Sequence, residues 1–184
     1  MSLTLQNIID EADLLVPNSF SSANKVTWLN EVNSLFFETV KIPKTTTTQT
    51  VSGTADYTLP TDARSRNIIS CFVNNALFKS ADFNTVNPNL NHFTFDDTTQ
   101  KLTLVPSPTA VQTMIVRYFK VATTSFVSTT LTINPDAPPE YHWIYTLGLC
   151  ERIAKAMNDV NLANNYANDF QAQLMIAQQN YFKQ

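Results

Sequence analysis

Glycine and histidine are scarce in this chain of 184 residues. Only Gly53 and Gly148 occur, which excludes the glycine-rich loops that cradle phosphate groups and the Gly-x-Ser-x-Gly turn that carries a serine nucleophile. The two histidines, His92 and His142, lie far apart in sequence, and neither has the spacing of a metal ligand set. We therefore expect a protein that is not an enzyme and that needs no cofactor or metal.

Charged residues are also few, at 15% of the chain, against roughly 25% in an average soluble protein. The polar surface must come from uncharged side chains, and 24 threonines and 19 asparagines supply it. Copies with so few charges repel one another weakly, which favours a protein that packs against copies or partners. The net charge of −3 offers no basic patch for holding nucleic acid, so we expect DNA to pass such a surface without being bound.

Cysteines are few in this chain, and long apolar runs are absent. Cys71 and Cys150 each lie in an apolar segment, which predicts two buried free thiols rather than a disulfide framework or a metal site. No apolar run approaches the roughly 20 residues that span a membrane. The first residues lack the basic and apolar regions of a signal peptide. We expect a chain that is made and used in a cytoplasm, without membrane contact.

Both ends of the chain have the apolar period of helices. Thr4 is a candidate N-cap for a first helix that Pro17 ends, and Ser21 or Ser22 can cap a second that Pro43 closes. The helical period returns after Pro139, where a long helix begins.

Two C-terminal helices are predicted, separated by a short break at residues 158–161. In the first, Glu151 and Lys155 have the order and spacing of an ion pair on the solvent side. The earlier of these two C-terminal helices is expected to bury a seam of five residues: Trp143, Leu147, Cys150, Ala154 and Met157. The later one is expected to pack against it through Leu162, Tyr166, Phe170, Leu174, Ala177 and Tyr181.

The middle of the chain, residues 44–135, favours β-branched and aromatic residues cut by turn residues. The pair Asn74-Asn75 and the run Asp96–Thr99 predict two hairpins, and Thr45–Thr48 predicts a strand at a sheet edge. About six strands would form a small antiparallel sheet or sandwich. The predicted fold class is α+β, with a helical bundle formed by residues 1–43 and 138–184 and an inserted antiparallel β lobe at residues 44–137.

Two groups in this middle region have a functional interpretation beside the structural one. Asp96-Asp97 could bind a cation or act as an acid–base pair, but aspartates are ordinary turn residues and that interpretation is much the stronger. Four aromatic side chains could stack against sugars, although on alternating strands they more often belong to a core. These are Phe93, Phe95, Tyr118 and Phe119.

The order of several short motifs resembles the head–tail connector (adaptor) proteins of tailed bacteriophages, including the tail-tubular and gatekeeper-like group. After a helical start these motifs are Asp56–Asp62, Ala76–Phe78, Leu102–Pro108, Val116–Phe119 and Pro139–His142. The resemblance covers most of the chain, and its specificity lies in the order of the motifs. One departure is the pair Asn74-Asn75, where the family usually has a small residue or glycine.

The resemblance implies a ring, usually dodecameric, that docks beneath the portal protein in the virion neck and continues the DNA channel towards the tail. A tail or stopper protein is the implied partner on the other side, and double-stranded DNA would pass through the lumen without sequence-specific binding. The chain would be made in the cytoplasm of the bacterial host. The family provides no catalytic residues to transfer.

Two sets of site residues follow from the resemblance. Helices that pack the ring would carry Tyr141, Trp143, Leu147, Met157, Tyr166 and Phe170, and the candidate portal contact is Tyr181, Phe182, Lys183 and Gln184. Two alternatives stay open, namely another structural protein of the virion or tail and a carbohydrate-binding adhesive β module.

Overall fold

The computed structural model describes residues 2–81 and 90–182. The chain divides into two compact units, of which the first combines Met1–Lys41 with Ala122–Gln184 and the second is Ile42–Val121. We call them the helical unit and the sheet unit. Their content confirms the predicted mixture of helices and strands.

Four α-helices make up the helical unit in the described part of the chain: α1 (Leu5–Leu15), α2 (Ser22–Val40), α3 (His142–Ala156) and α4 (Val160–Phe182). Helix α3 contacts each of the other three and is therefore the central one. Two predicted N-caps are confirmed. The Thr4 side chain accepts a hydrogen bond from the N–H of Asn7, and Ser21 does the same for Asn24.

Burial along α3 is not confined to one helix face. The middle of the helix is buried on nearly every side, because the other helices surround it. Trp143 and Met157, near the two ends, are 43% and 46% exposed, so the prediction that they belong to a buried seam is wrong. Glu151 does pair with Lys155, but it is buried instead of lying on the solvent side.

At Gly148, helix α3 lies close to both α2 and α4. A Cβ atom placed there would lie 2.8 Å from a methyl carbon of Val32 on α2 and 3.1 Å from the ring of Phe170 on α4. Both distances are shorter than ordinary van der Waals contact, so the missing side chain is what allows three helices to meet.

Residues 122–138 connect the two units in sequence without forming a helix or strand, and we call this segment the strap. Its carbonyl groups at Leu131 and Ile133 accept hydrogen bonds of 2.9 Å from the N–H groups of Gln6 and Leu5. The Asn30 side chain accepts from the Phe126 N–H at 2.8 Å and donates to the Phe126 carbonyl at 3.0 Å. The strap thereby satisfies N–H groups in the first turn of α1 that have no partner within the helix.

A buried polar network holds the C-terminal part of the strap. The Asp136 carboxylate accepts hydrogen bonds from the Asn33 side chain at 3.1 Å, from the N–H groups of Thr123 and Thr124 at 2.9 Å, and from the Thr124 hydroxyl at 2.5 Å. Asn33 in turn accepts from the Tyr145 hydroxyl at 2.6 Å. Burial by itself raises the pKa of Asp136, but the hydrogen bonds outweigh burial and leave this pKa below its ordinary value.

His142 joins the N-terminal residues to the start of α3. Its Nδ1 accepts a hydrogen bond of 3.0 Å from the Leu3 N–H, and its Nε2 lies 2.9 Å from the Ala137 carbonyl, which requires the proton on Nε2. With both ring nitrogens occupied and the ring buried, His142 is a packing histidine, as its sequence position indicated.

The sheet unit contains one seven-stranded sheet in the described residues, with strand order β1-β7-β3-β4-β5-β6-β2. The strands are β1 (Pro43–Gln49), β2 (Asp56–Thr58), β3 (Ile68–Val73), β4 (Ala76–Ser80), β5 (His92–Asp96), β6 (Lys101–Val105) and β7 (Thr113–Phe119). The predicted number of about six was one too low. The antiparallel prediction fails at β4 and β5, which pair in parallel.

The sheet must curl, because its two edge strands follow each other in sequence. Residues 50–55 join β1 to β2, and the seven steps from Gln49 to Asp56 reach at most about 25 Å. The edges of a flat seven-stranded sheet would lie about 29 Å apart. The buried core of the unit is Tyr57, Leu59, Ala63, Cys71, Val73, Phe78, Phe93, Phe95, Leu102, Leu104, Met114, Val116 and Tyr118.

Two predicted turns are confirmed. Asn74 and Asn75 have φ values of 47° and 66°, so this departure from the family pattern still provides the left-handed turn between β3 and β4. Asp96 accepts from the N–H of Thr98 in the turn between β5 and β6, as expected of a turn residue.

Burial distinguishes between the functional and the structural interpretations of the aromatic residues and the cysteines. Phe93, Phe95 and Tyr118 are buried in it, so a sugar-stacking surface built from them is wrong. Cys71 and Cys150 are free and buried, as predicted, and burial raises the pKa of each thiol to about 12.

Candidate assembly surfaces

The six predicted ring-packing residues differ in how much of each side chain reaches the surface. Trp143 and Met157 are exposed, Tyr141 and Tyr166 are half-buried, and Leu147 and Phe170 are buried inside the helical unit. Only the exposed and half-buried side chains are available to a neighbouring molecule. Leu147 and Phe170 instead hold α3 and α4 in position.

Helix α4 has a surface that is long, apolar in places and almost free of charge. It spans 23 residues, of which Asp169 is the single charged one. Met175 and Ile176 are exposed on it, and the remaining exposed positions are mostly asparagine and glutamine. Depletion of charge around exposed apolar side chains is typical of the core of a protein–protein interface.

The residues of the predicted portal contact at the end of α4 differ in how far they are exposed. The Tyr181 ring packs on Tyr141 with a centroid distance of 6.1 Å, so the unit itself provides a partner for this aromatic residue. Phe182, one residue later, is 60% exposed. Lys183 and Gln184 lie outside the described residues.

Further bonds fix the last turns of α4. Gln178 donates a hydrogen bond of 3.0 Å to the carbonyl of Thr39 at the end of α2, and Asn180 donates one of 3.3 Å to the Tyr141 hydroxyl. These bonds hold the helix end that presents Phe182.

Charge is distributed unevenly between the two units, which the sequence reasoning missed. Residues 1–41 and 122–184 hold five basic and ten acidic residues, a net charge of −5, whereas residues 42–121 hold seven basic and five acidic ones, a net charge of +2. Counting the charges of separate sequence regions would have revealed this difference, but the regions to compare are defined only by the unit boundary at residue 121.

Among residues 2–81 and 90–182, no group of three His, Cys, Asp or Glu side chains is placed to hold a metal ion. Within the same ranges, no helix has the length and apolar character needed to cross a membrane.

The resemblance to phage adaptors predicted that the last two helices pack against neighbouring subunits. A comparison with protein families matches residues 3–182 to the family described as SU10 adaptor protein. The chain belongs to this family. The match confirms the predicted relation to phage head–tail adaptors, and it makes this SU10 adaptor a structural component that assembles with other head or tail proteins. A comparison with curated proteins found no match.

Proposed function

We propose that this adaptor forms a ring, dodecameric in the virion neck, beneath the portal protein. The observation that carries the proposal is the set of exposed apolar side chains on the last two helices. Trp143 and Met157 on or beside α3, and Met175 and Ile176 on α4, are each exposed, on helices that also supply buried apolar residues to the core. A ring in which each copy contacts the next would cover them.

Such a ring needs two different contact patches on every subunit, because a cyclic head-to-tail contact joins unlike surfaces. Contacts made through asparagine, glutamine and a few apolar side chains are weak singly and add up when a template brings many copies together. A monomer in free solution and a ring on the portal are therefore both expected.

The proposal assigns different roles to the two parts of the chain. The ends, residues 1–41 and 138–184, form the helical bundle that makes the ring wall, with α3 and α4 as the packing helices. Residues 42–121 form the inserted β lobe, and the strap, which the sequence had assigned to the lobe, packs with the bundle. The contacts of α1 and α2 with α3 support this assignment, because they join the two chain ends in one unit.

DNA and the tail complete the proposed role. The net charge of −5 on the helical unit suits a wall that double-stranded DNA passes without sequence-specific binding. A tail or stopper protein would dock on the side opposite the portal. The ring would extend the channel for genome ejection without catalysing a reaction.

The portal contact is proposed for the end of α4. Phe182 is exposed on a helix end that Tyr181, Asn180 and Gln178 hold in place. An aromatic residue presented on a fixed support loses little conformational freedom on binding, which is typical of interface hot spots.

The test is to mix the adaptor with the portal protein of the same phage and to image the complex by cryo-electron microscopy. We expect an added ring of twelve subunits beneath the portal. A well-formed portal that gains neither density nor co-sedimenting adaptor would contradict the proposal. Density elsewhere on the virion would instead indicate another structural role.

A variant pair locates the portal contact. Phe182→Ala should weaken portal binding about tenfold, as expected for loss of one hot-spot aromatic residue, and leave thermal unfolding unchanged. Val127→Ala, which shortens an exposed apolar side chain in the strap, is the matched control. Deleting all of residues 178–184 would be less informative, because it also removes the bonds to Thr39 and Tyr141.

A further inference from the structure

Helix α1 carries three acidic residues and no basic one. Asp13 lies in its last turn, where the helix dipole disfavours a carboxylate, and Asp10 and Glu11 lie near its middle. Asp10 accepts a hydrogen bond of 2.7 Å from the Gln6 side chain. Lys25 compensates Asp13, with its Nζ 2.8 Å from that carboxylate. No ion pair within the described residues compensates Asp10 or Glu11.

These two carboxylates share a helix face with an exposed leucine. Positions 10, 11 and 14 are three and four residues apart, so their side chains project from the same side of α1. Leu14 is 77% exposed, the largest exposed fraction among the exposed large hydrophobic residues. We call Asp10, Glu11 and Leu14 the α1 ridge.

The sheet unit has a surface of opposite character. The adjoining strands β1, β7, β3 and β4 contain Lys44, Lys79 and Arg117 but no aspartate or glutamate. Lys44 is paired with Asp62, and in the described part of the chain neither Lys79 nor Arg117 forms an ion pair. Both of these side chains are exposed, since Arg117 lies between the core residues Val116 and Tyr118, and Lys79 follows the core residue Phe78.

An apolar row runs beside these two basic residues. Ile115 of β7 is opposite Phe72 of β3, and Phe72 is opposite Leu77 of β4, so the three side chains cross three strands on the face that points away from the core. Leu77 is 46% exposed. We call these three residues, together with Lys79 and Arg117, the outer sheet face.

The distances between residues on the α1 ridge and on the outer sheet face are similar, and the charges of the two surfaces are opposite. Asp10 and Leu14 are separated by about 6 Å along the helix axis. Arg117 and Ile115 are two residues apart on one strand, about 6.7 Å. A helix laid along β7 can therefore place Leu14 against the apolar row while Asp10 and Glu11 reach the basic residues.

We propose that the outer sheet face of one subunit binds the α1 ridge of a second copy of this chain. The inference rests on the proposed ring and names the two unlike patches that its head-to-tail contact needs. The occupant follows from charge, since a sheet unit of net charge +2 meets a helical unit of net charge −5. In this contact Arg117 and Lys79 supply the positive charge that Asp10 and Glu11 lack within their own chain.

A charge-swap experiment on portal-templated rings tests the proposal. Arg117→Glu should lower the number of adaptor copies bound per portal at least tenfold, and the pair Asp10→Lys with Glu11→Lys should do the same. Combining all three substitutions with Lys79→Glu in one chain should restore binding to within about twofold of the unmodified protein, because every contact then has opposite charges again. Lys101→Glu, at an exposed basic position on β6 outside the four strands, is the matched control and should bind normally.

Each outcome is decisive. Rings that form equally well with the single reversals overturn this contact and leave the proposed function standing. Reversals that abolish binding and are not restored by the combination show that the sheet face meets the portal instead, which also overturns it. Thermal unfolding of each variant separates misfolding from loss of contact, and Arg117→Gln provides a milder version if Arg117→Glu fails to fold.

A second readout applies if the unmodified protein does not bind the portal, which would contradict the proposed function. Sedimentation at high protein concentration then measures self-association directly. Association that weakens with salt, disappears in Arg117→Glu and returns in the charge swap supports the contact between copies. A protein that stays monomeric at every concentration overturns it.

Discussion

At the scale of single residues, Gly148 is the position where a small change is expected to have the largest structural effect. Replacing it by alanine adds a Cβ 2.8 Å from Val32 and 3.1 Å from Phe170. Valine has a stiff side chain and cannot turn away, so α2 and α3 must separate. Alanine favours helix by about 1 kcal/mol over glycine, but overpacking a core costs about 1–3 kcal/mol.

We therefore expect Gly148→Ala to lower the free energy of unfolding, measured by urea titration. Ala172→Leu adds more volume at an exposed position of α4 and serves as the control, with an expected change within about 0.5 kcal/mol. An unchanged or higher stability for Gly148→Ala would show that the three helices adjust freely.

At the scale of elements, the strap behaves as a part of the helical unit although it has no regular structure. Its backbone groups are bonded to Asn30, to the start of α1 and to Asp136. A segment of this length without helix or strand is uncommon in a compact unit. Polar side chains from α2 and from the strap itself take the place of a strand partner.

Asp136→Asn tests this role of the strap. The variant replaces one acceptor oxygen by a donor facing donors, and we expect it to lose about 2 kcal/mol of stability at pH 7. The pKa of Asp136 is lowered by folding, so the carboxylate stabilises the unit above its ordinary value of 3.8, and this contribution disappears as the pH falls through the folded value.

The difference in unfolding free energy between the unmodified protein and Asp136→Asn should therefore shrink as the pH is lowered from 7 towards 3. Urea titrations at several pH values measure it, with Asp169→Asn, at an exposed position of α4, as the control. A difference that stays constant over this range would mean that the charge of Asp136 contributes nothing.

At the scale of the whole molecule, the sheet unit contains a core of its own. The core residues that the structure describes in this unit lie between Tyr57 and Tyr118, and both edge strands are within residues 42–121. We expect a fragment of these residues to fold alone and to give a dispersed amide NMR spectrum. Substituting Met114 by Asp in the fragment is the control that should abolish this dispersion. A collapsed spectrum for the unmodified fragment would show that the sheet needs the helices.

The sequence predicted the local features of both units and missed those that depend on distant residues. Caps at Thr4 and Ser21 and the turn at Asn74-Asn75 were found because their signals lie within a few residues. The parallel pairing of β4 with β5 and the polar anchors of the strap were missed, because each depends on residues brought together only by the fold.

For the candidate assembly surfaces, too, the sequence predicted what local patterns encode and missed what depends on the fold. The family resemblance, confirmed over residues 3–182, pointed to the last two helices as the assembly surface. Periodicity then placed Trp143 and Met157 in a buried seam, because a helical period identifies a face and says nothing of where the neighbouring helices end. The outer sheet face needed the strand order, which no local pattern in this chain reveals.

The bonds between the start of α1 and the strap have a consequence for the order of synthesis on the ribosome. Leu5 and Gln6 obtain their partners only when residues 131 and 133 have emerged, and His142 must follow before Leu3 is bonded. The whole sheet unit, residues 42–121, has been translated by then. The first helix made is therefore among the last to be secured, so a prematurely terminated chain can carry a finished sheet but lacks α3 and α4, the helices proposed to pack the ring.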